Sequence, residues 1–168
     1  PARVPPEAIA ALRAAQVHVE QVDPAGGLLW IDFAAATTID DAQAKVLLEP
    51  LRDFIADLSL AGTRTGDDIL ALVAAMPNLR SLNLSRTACT PAGLRRLQGH
   101  AALEELRLTQ TTLDDSAIDS LAALPALRRV YLWSSGVSPE AAARLQSMQA
   151  LLQINVGADN SYQIFNSA

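Results

Sequence analysis

Between Leu79 and Thr87 the chain reads LRSLNLSRT, an apolar residue at the first, fourth and sixth places and a hydroxyl at the ninth. The same pattern starts again at Leu103 (LEELRLTQT) and, after an equal interval, at Leu127 (LRRVYLWSS). One interval earlier it is found at Ile55 (IADLSLAGT), and one interval later at Leu151 (LLQINVG). A period of about two dozen residues marks an array of small stacked units. A further match, LLWIDFAAAT from Leu28, precedes Ile55 by slightly more than one interval and slips by one at its threonine. Alternation of apolar and polar positions predicts a short strand in each segment, with Leu82, Leu84, Leu106, Leu108, Val130 and Leu132 facing inward.

The second half of each unit repeats as well. After the hydroxyl come an apolar residue, a capping residue and a helical pattern. Counted from the hydroxyl, the seventh, tenth and thirteenth positions are Leu70, Val73 and Met76; Leu94, Leu97 and His100; Ile118, Leu121 and Leu124; and Ala142, Leu145 and Met148. That spacing is one apolar face of a helix. Thr90-Pro91 and Ser138-Pro139 read as an N-cap followed by proline at the first helical position, and Asp114 fills the same slot. A strand–turn–helix unit this short cannot bury its own face. Stacking the units gives a parallel sheet of about six strands, an arc of roughly 24 Å, backed by short helices over one core.

The pattern resembles the leucine-rich-repeat family, whose consensus it matches from about Leu28 to Gly157 with Thr or Ser in place of the usual Asn. The resemblance implies a right-handed α/β solenoid, its strands on the concave face and its helices on the convex one. It also implies a ladder in which Thr63, Thr87, Thr111 and Ser135 bond backbone groups in the strand-to-helix turn. TPAGL (Thr90 to Leu94) and LRRVYLWSSGVSPEAAARL look more narrowly like the repeat segments of bacterial membrane proteins that also carry a c-type cytochrome domain. That likeness implies a periplasmic or extracytoplasmic location and a role as a structural accessory domain of a larger haem-containing protein.

The ends read differently. VPPEAIAAL (Val4 to Leu12) mirrors VSPEAAARL (Val137 to Leu145) and is read as the helix of a degenerate first unit. VHVEQV (Val17 to Val22) alternates, precedes the turn DPAGG, and is expected to pair beside Leu28–Phe33 and blunt the sheet edge. Residues 1–27 thus form an N-terminal cap, 28–157 the repeats, and 158–168 a C-terminal tail or cap. The start at Pro1 is expected to reflect a longer parent chain.

Composition narrows the function classes. Half of the 168 residues are hydrophobic and 18% are charged, which suits a globular domain. No apolar run reaches the roughly 18 residues that cross a bilayer, so direct membrane insertion is not expected. A net charge of −5 argues against a nucleic-acid partner. The single cysteine, Cys89, excludes an internal disulfide and cysteine-based zinc sites.

Little in the chain suggests catalysis, a metal or a cofactor, and no enzyme is expected. Asp40-Asp41, Asp67-Asp68 and Asp114-Asp115 could in principle do acid–base work or hold calcium or magnesium. All three pairs fall where a helix begins, however, and capping explains them. His100 occupies a core position of the repeat, and Cys89 shares its inward slot with Thr65, Leu113 and Val137.

What remains is the open face of the sheet. Strand alternation places there Trp30, Asp57, Ser81, Glu105, Arg129 and Gln153 in one column, Asp32, Ser59, Asn83, Arg107, Tyr131 and Asn155 in a second, and Ala34, Ala61, Ser85, Thr109, Trp133 and Gly157 in a third. The front is small and acidic, and the back concentrates arginine and aromatic residues, the types enriched at binding hot spots. A protein-binding patch of Glu105, Arg107, Arg129, Tyr131, Trp133 and Asn155 is the leading expectation, with Tyr131 and Trp133 displayed. The alternatives are that the tail around Tyr162 and Phe165 covers the patch, or that Arg129 stacks on its aromatic neighbours. Trp30, beside the front cap, is expected to be covered.

Overall fold

The computed structural model describes residues 3–25 and 27–157, together with the backbone of 162–163. The chain opens with helix α1 (Pro6–Ala14), where proline suits the first turn, and buries Ala8 and Leu12. Strand β1 (His18–Gln21) then pairs antiparallel with β2 (Leu29–Asp32), placing His18 opposite Asp32 and Gln21 opposite Leu29.

From β2 onward strand and helix alternate. Helix α2 (Asp41–Leu48) leads through a 3-10 segment to β3 (Ile55–Ser59). There follow α3 (Leu70–Ala74), β4 (Ser81–Asn83), α4 (Pro91–Leu94), β5 (Glu105–Arg107), α5 (Ile118–Ala122), β6 (Arg129–Tyr131), α6 (Pro139–Met148) and β7 (Gln153–Asn155). Strands β2 to β7 are mutually parallel, and β8 (Tyr162–Gln163) closes the sheet antiparallel to β7. Among the described residues eight strands form the sheet, in strict sequence order. Two antiparallel strands at the edges thus frame the six parallel ones expected from the repeat.

Register follows the period of the sequence. Leu58, Leu82, Leu106, Val130 and Ile154 stand side by side, all buried. Burying each such side chain contributes about 1.5–3 kcal/mol, and the rows merge with the helix residues into one core. Past the strand ends, the N–H groups of Leu60, Leu84, Leu108 and Leu132 donate to the carbonyls of Asn83, Arg107, Tyr131 and Asn155, one unit along.

The turn after each strand repeats too. Gly62, Arg86, Gln110 and Ser134, spaced by the repeat, all have positive φ, between 53° and 74°. Only the first is glycine, so the other three carry the steric cost of a left-handed residue. One residue on, the Thr63, Thr87 and Thr111 hydroxyls donate to the carbonyls of Leu60, Leu84 and Leu108 at 2.6–2.7 Å. These bonds close the turn within a unit. Ser135 is also buried, and its oxygen accepts from the Val137 N–H at 3.4 Å.

The last unit departs from the pattern. Met148 occupies the thirteenth position, buried as Met76, His100 and Leu124 in earlier units, yet is half exposed. Leu151, aligned with the buried Leu79, Leu103 and Leu127, is 94% exposed. Helix α6 is longer than α3, α4 or α5, and the chain leaves it one residue out of step, so Leu152 rather than Leu151 enters the core.

Candidate functional site

The parallel register assembles the expected columns. Trp30, Asp57, Ser81, Glu105, Arg129 and Gln153 are successive neighbours across β2 to β7, as are Asp32, Ser59, Asn83, Arg107, Tyr131 and Asn155. These residues alternate with the buried row, so they occupy the side of the sheet away from the core.

Glu105 organises the back half of this face. Its carboxylate receives the Nε of Arg107 at 2.9 Å and the Nε of Arg129 at 3.1 Å. The glutamate side chain is nearly buried, while both arginines are about half exposed. The Arg107 guanidinium also lies 4.5 Å from the centre of the Tyr131 ring, a cation–π contact. The stacking partner is therefore Arg107 rather than Arg129.

The expected display of two aromatic residues needs correction. Trp133, just beyond β6, is 38% exposed, but Tyr131 is only 8% exposed. Tyr131 lies on the open-face side of the register between Arg107 and Asn155 and beneath the Arg107 guanidinium, so it supports the arginine instead of meeting solvent. Asn155 is also buried; its Oδ1 accepts from the Gly157 N–H, while its Nδ2 has no hydrogen-bond partner among the described residues. The expected cover by the tail involves the Tyr162 side chain and Phe165, which lie outside the described residues.

A hollow of about 380 Å³ runs from the front of the face to β5, lined by Trp30, Asp32, Asp57 and Ser81 at one end and by Glu105 and Arg107 at the other. Trp30 is partly covered, its ring meeting the His18 ring edge-on with centroids 4.8 Å apart. Burial pushes the Asp57 carboxyl above its ordinary value, the nearby Glu105 charge adds to this, and Arg80 opposes it. A larger hollow, about 940 Å³, opens between the loops Pro125–Arg129 and Gln149–Gln153, where the chain enters β6 and β7. Arg129 alone among the expected patch residues borders it.

Five of the six paired aspartates are engaged at turns; the sixth, Asp68, is largely exposed, with Arg96 at 3.9 Å. Asp40 caps α2 in a reciprocal box with Gln43, and Asp114 accepts from the N–H and hydroxyl of Ser116. One partner in each pair reaches the next unit, a role that capping logic alone misses. Asp41 accepts from the N–H groups of Gly66 and Ile69, Asp67 from the N–H and hydroxyl of Thr90, and Asp115 from the N–H and hydroxyl of Ser138. The bonds from Ser116 and Ser138 hold the Asp114 and Asp115 carboxyls below the usual carboxylate range. Thr90 thus stands before α4 without capping it by its side chain, whereas Ser138 caps α6 through the Ala141 N–H.

The other candidate groups are structural. His100 Nδ1 accepts from the Ala102 N–H, which leaves Nε2 to donate to the Met76 carbonyl one unit back at 2.9 Å. Cys89 is buried; burial, followed by the Asp67 charge, pushes its thiol up to about 12. Among the described residues no group of three or more His, Cys, Asp or Glu side chains could hold a metal ion. Among those residues, too, no helix is long and apolar enough to cross a membrane.

No protein-family model matches the sequence, and no curated protein matches it. Among solved structures, an internalin from Listeria monocytogenes is similar, at 14% identity and a TM-score of 0.41, over 90% of this chain and 62% of that one. This chain therefore spans less than two thirds of the internalin's length.

Proposed function

We propose that the chain is a non-catalytic protein-binding module, a leucine-rich-repeat solenoid that captures its partner on the concave, open face of the sheet. The observation that carries this reading is the half-exposed Arg107–Glu105–Arg129 cluster, on the face onto which strand alternation also turns the exposed Trp133. Each guanidinium uses Nε on Glu105 and has no other hydrogen-bond or ion-pair partner among the described residues. Arginines held by one carboxylate, with unused donor edges, and an accessible indole on the same face offer directional contacts at little ordering cost. Tyr131 and Asn155 take part from beneath, by holding Arg107 and the end of β7 in place. Asp40, Asp41, Asp67, Asp114, Asp115, His100 and Cys89 are engaged in turns or core, which supports the non-catalytic reading.

The test is substitution of the exposed members alone. Trp133→Ala combined with Arg129→Ala should keep the wild-type melting temperature within a few degrees and abolish partner capture. Retention of the partner at full strength by a folded double variant would exclude this face.

A further inference from the structure

The open face is electrically polar, and that polarity defines the chemistry of what can lie across it. Asp32, Asp57 and the Trp30 ring border the front end of the hollow, whose far end is formed by Glu105 and Arg107. At the back, two guanidiniums share one carboxylate, which leaves the pair with one net positive charge. We propose that the occupant of this face is an extended peptide segment that crosses the strands, carrying a basic side chain in the Trp30–Asp57 hollow and an acidic one on the Arg107–Arg129 pair.

This rests on the binding-module reading and specifies the partner's chemistry. A guanidinium or ammonium in the hollow gains the carboxylates of Asp32 and Asp57 and the face or edge of Trp30. A carboxylate at the back meets the Nη edges of Arg107 and Arg129, which Glu105 holds by Nε on neighbouring strands. Strands β3 and β6 are three steps apart, about 14 Å, which an extended chain covers in about four residues. The basic and acidic residues of the segment are therefore about four positions apart. A segment with like charges at both places would meet repulsion at one end.

Synthetic peptides test this directly: Gly-Arg-Gly-Ser-Gly-Glu-Gly with blocked ends, the same peptide with Gln for both charged residues, and one with Glu for Arg. The readout is the pair of indole N–H signals in nuclear magnetic resonance spectra, since the chain's two tryptophans, Trp30 and Trp133, bracket the face. The Arg/Glu peptide is expected to shift both indoles, saturating at millimolar concentration and binding about fivefold more tightly than the Gln/Gln peptide. Arg107→Gln with Arg129→Gln should erase the advantage of the Glu, and Asp57→Asn that of the Arg, in variants that melt no lower than wild type. If the Gln/Gln or Glu/Glu peptide binds as well while the Trp133 signal moves, the polarity is wrong and the face remains a binding surface. If none of the peptides moves either indole at about 10 mM, the peptide proposal is overturned, and the face is then judged by the partner-capture test alone.

Discussion

Gly93 shows how much one missing side chain can fix. It lies in α4, where glycine is a poor helix former, yet a Cβ there would stand 2.0 Å from Asp67 Oδ1. The glycine leaves room for the carboxylate that ties one unit to Thr90 of the next. Gly93→Ala should therefore cost about 2–3 kcal/mol by denaturant titration, through overpacking and the lost bonds. In an Asp67→Ala background the same change should cost far less, and a double-mutant cycle that shows simple additivity would refute the link. Tyr131 and Trp133 make a second contrast. Tyr131→Ala removes a buried ring and should destabilise by about 3 kcal/mol, whereas Trp133→Ala should stay within about 0.5 kcal/mol. Equal losses would mean that the two rings are equally buried. The sequence places both on one side of the sheet but does not say that one of them is buried there.

At the scale of the element, the repeating turn is a weak point with a chemical remedy. Arg86, Gln110 and Ser134 adopt the left-handed conformation that Gly62 adopts without a Cβ penalty. Gln110→Gly is expected to be neutral or to stabilise by up to about 1 kcal/mol, while Gln110→Val should lose about 1–2 kcal/mol. A stabilising valine would contradict the observed backbone. The open-face strands supply a pH test. Because burial raises the Asp57 carboxyl above 3.8, the native chain holds its proton more tightly than the unfolded chain. Stability attributable to Asp57 is thus fully present below about pH 3.8 and declines as pH rises through the raised value. Asp57→Asn should melt higher than wild type at pH 7 and lose that advantage near pH 3.5, read as the difference between the two proteins at each pH. An advantage that grows on acidification would reverse the sign and refute the assignment. Strands, turn hydroxyls and the columns of the face were legible because each recurs at a fixed spacing. The carboxylate stitches were not, since Asp67 and Asp115 look like ordinary helix caps until the neighbouring unit is in place. Nor was the step in register that exposes Leu151, because it arises from the length of α6 and not from any change in strand pattern.

Across the whole molecule, one period does two jobs. It aligns apolar rows into a core on one side of the sheet, and on the other it gathers polar residues that are distant in sequence. The same spacing that stacks Leu106 on Val130 puts Glu105 between Arg107 and Arg129. With strand order following sequence order, the front-to-back change of charge along the chain becomes a change of charge across the face.

The most direct measurement is site-specific photo-crosslinking in the native cell. A benzoylphenylalanine at position 133, on the open face, is compared with one at the exposed position 46 of helix α2. The captured protein is identified, purified and titrated calorimetrically against wild type and the Arg107→Gln, Arg129→Gln variant. Capture from position 133 alone, with binding at least about tenfold weaker in the folded variant, is the predicted result. Capture from position 46 alone, or equal affinity in wild type and variant, would contradict the open face as the binding surface.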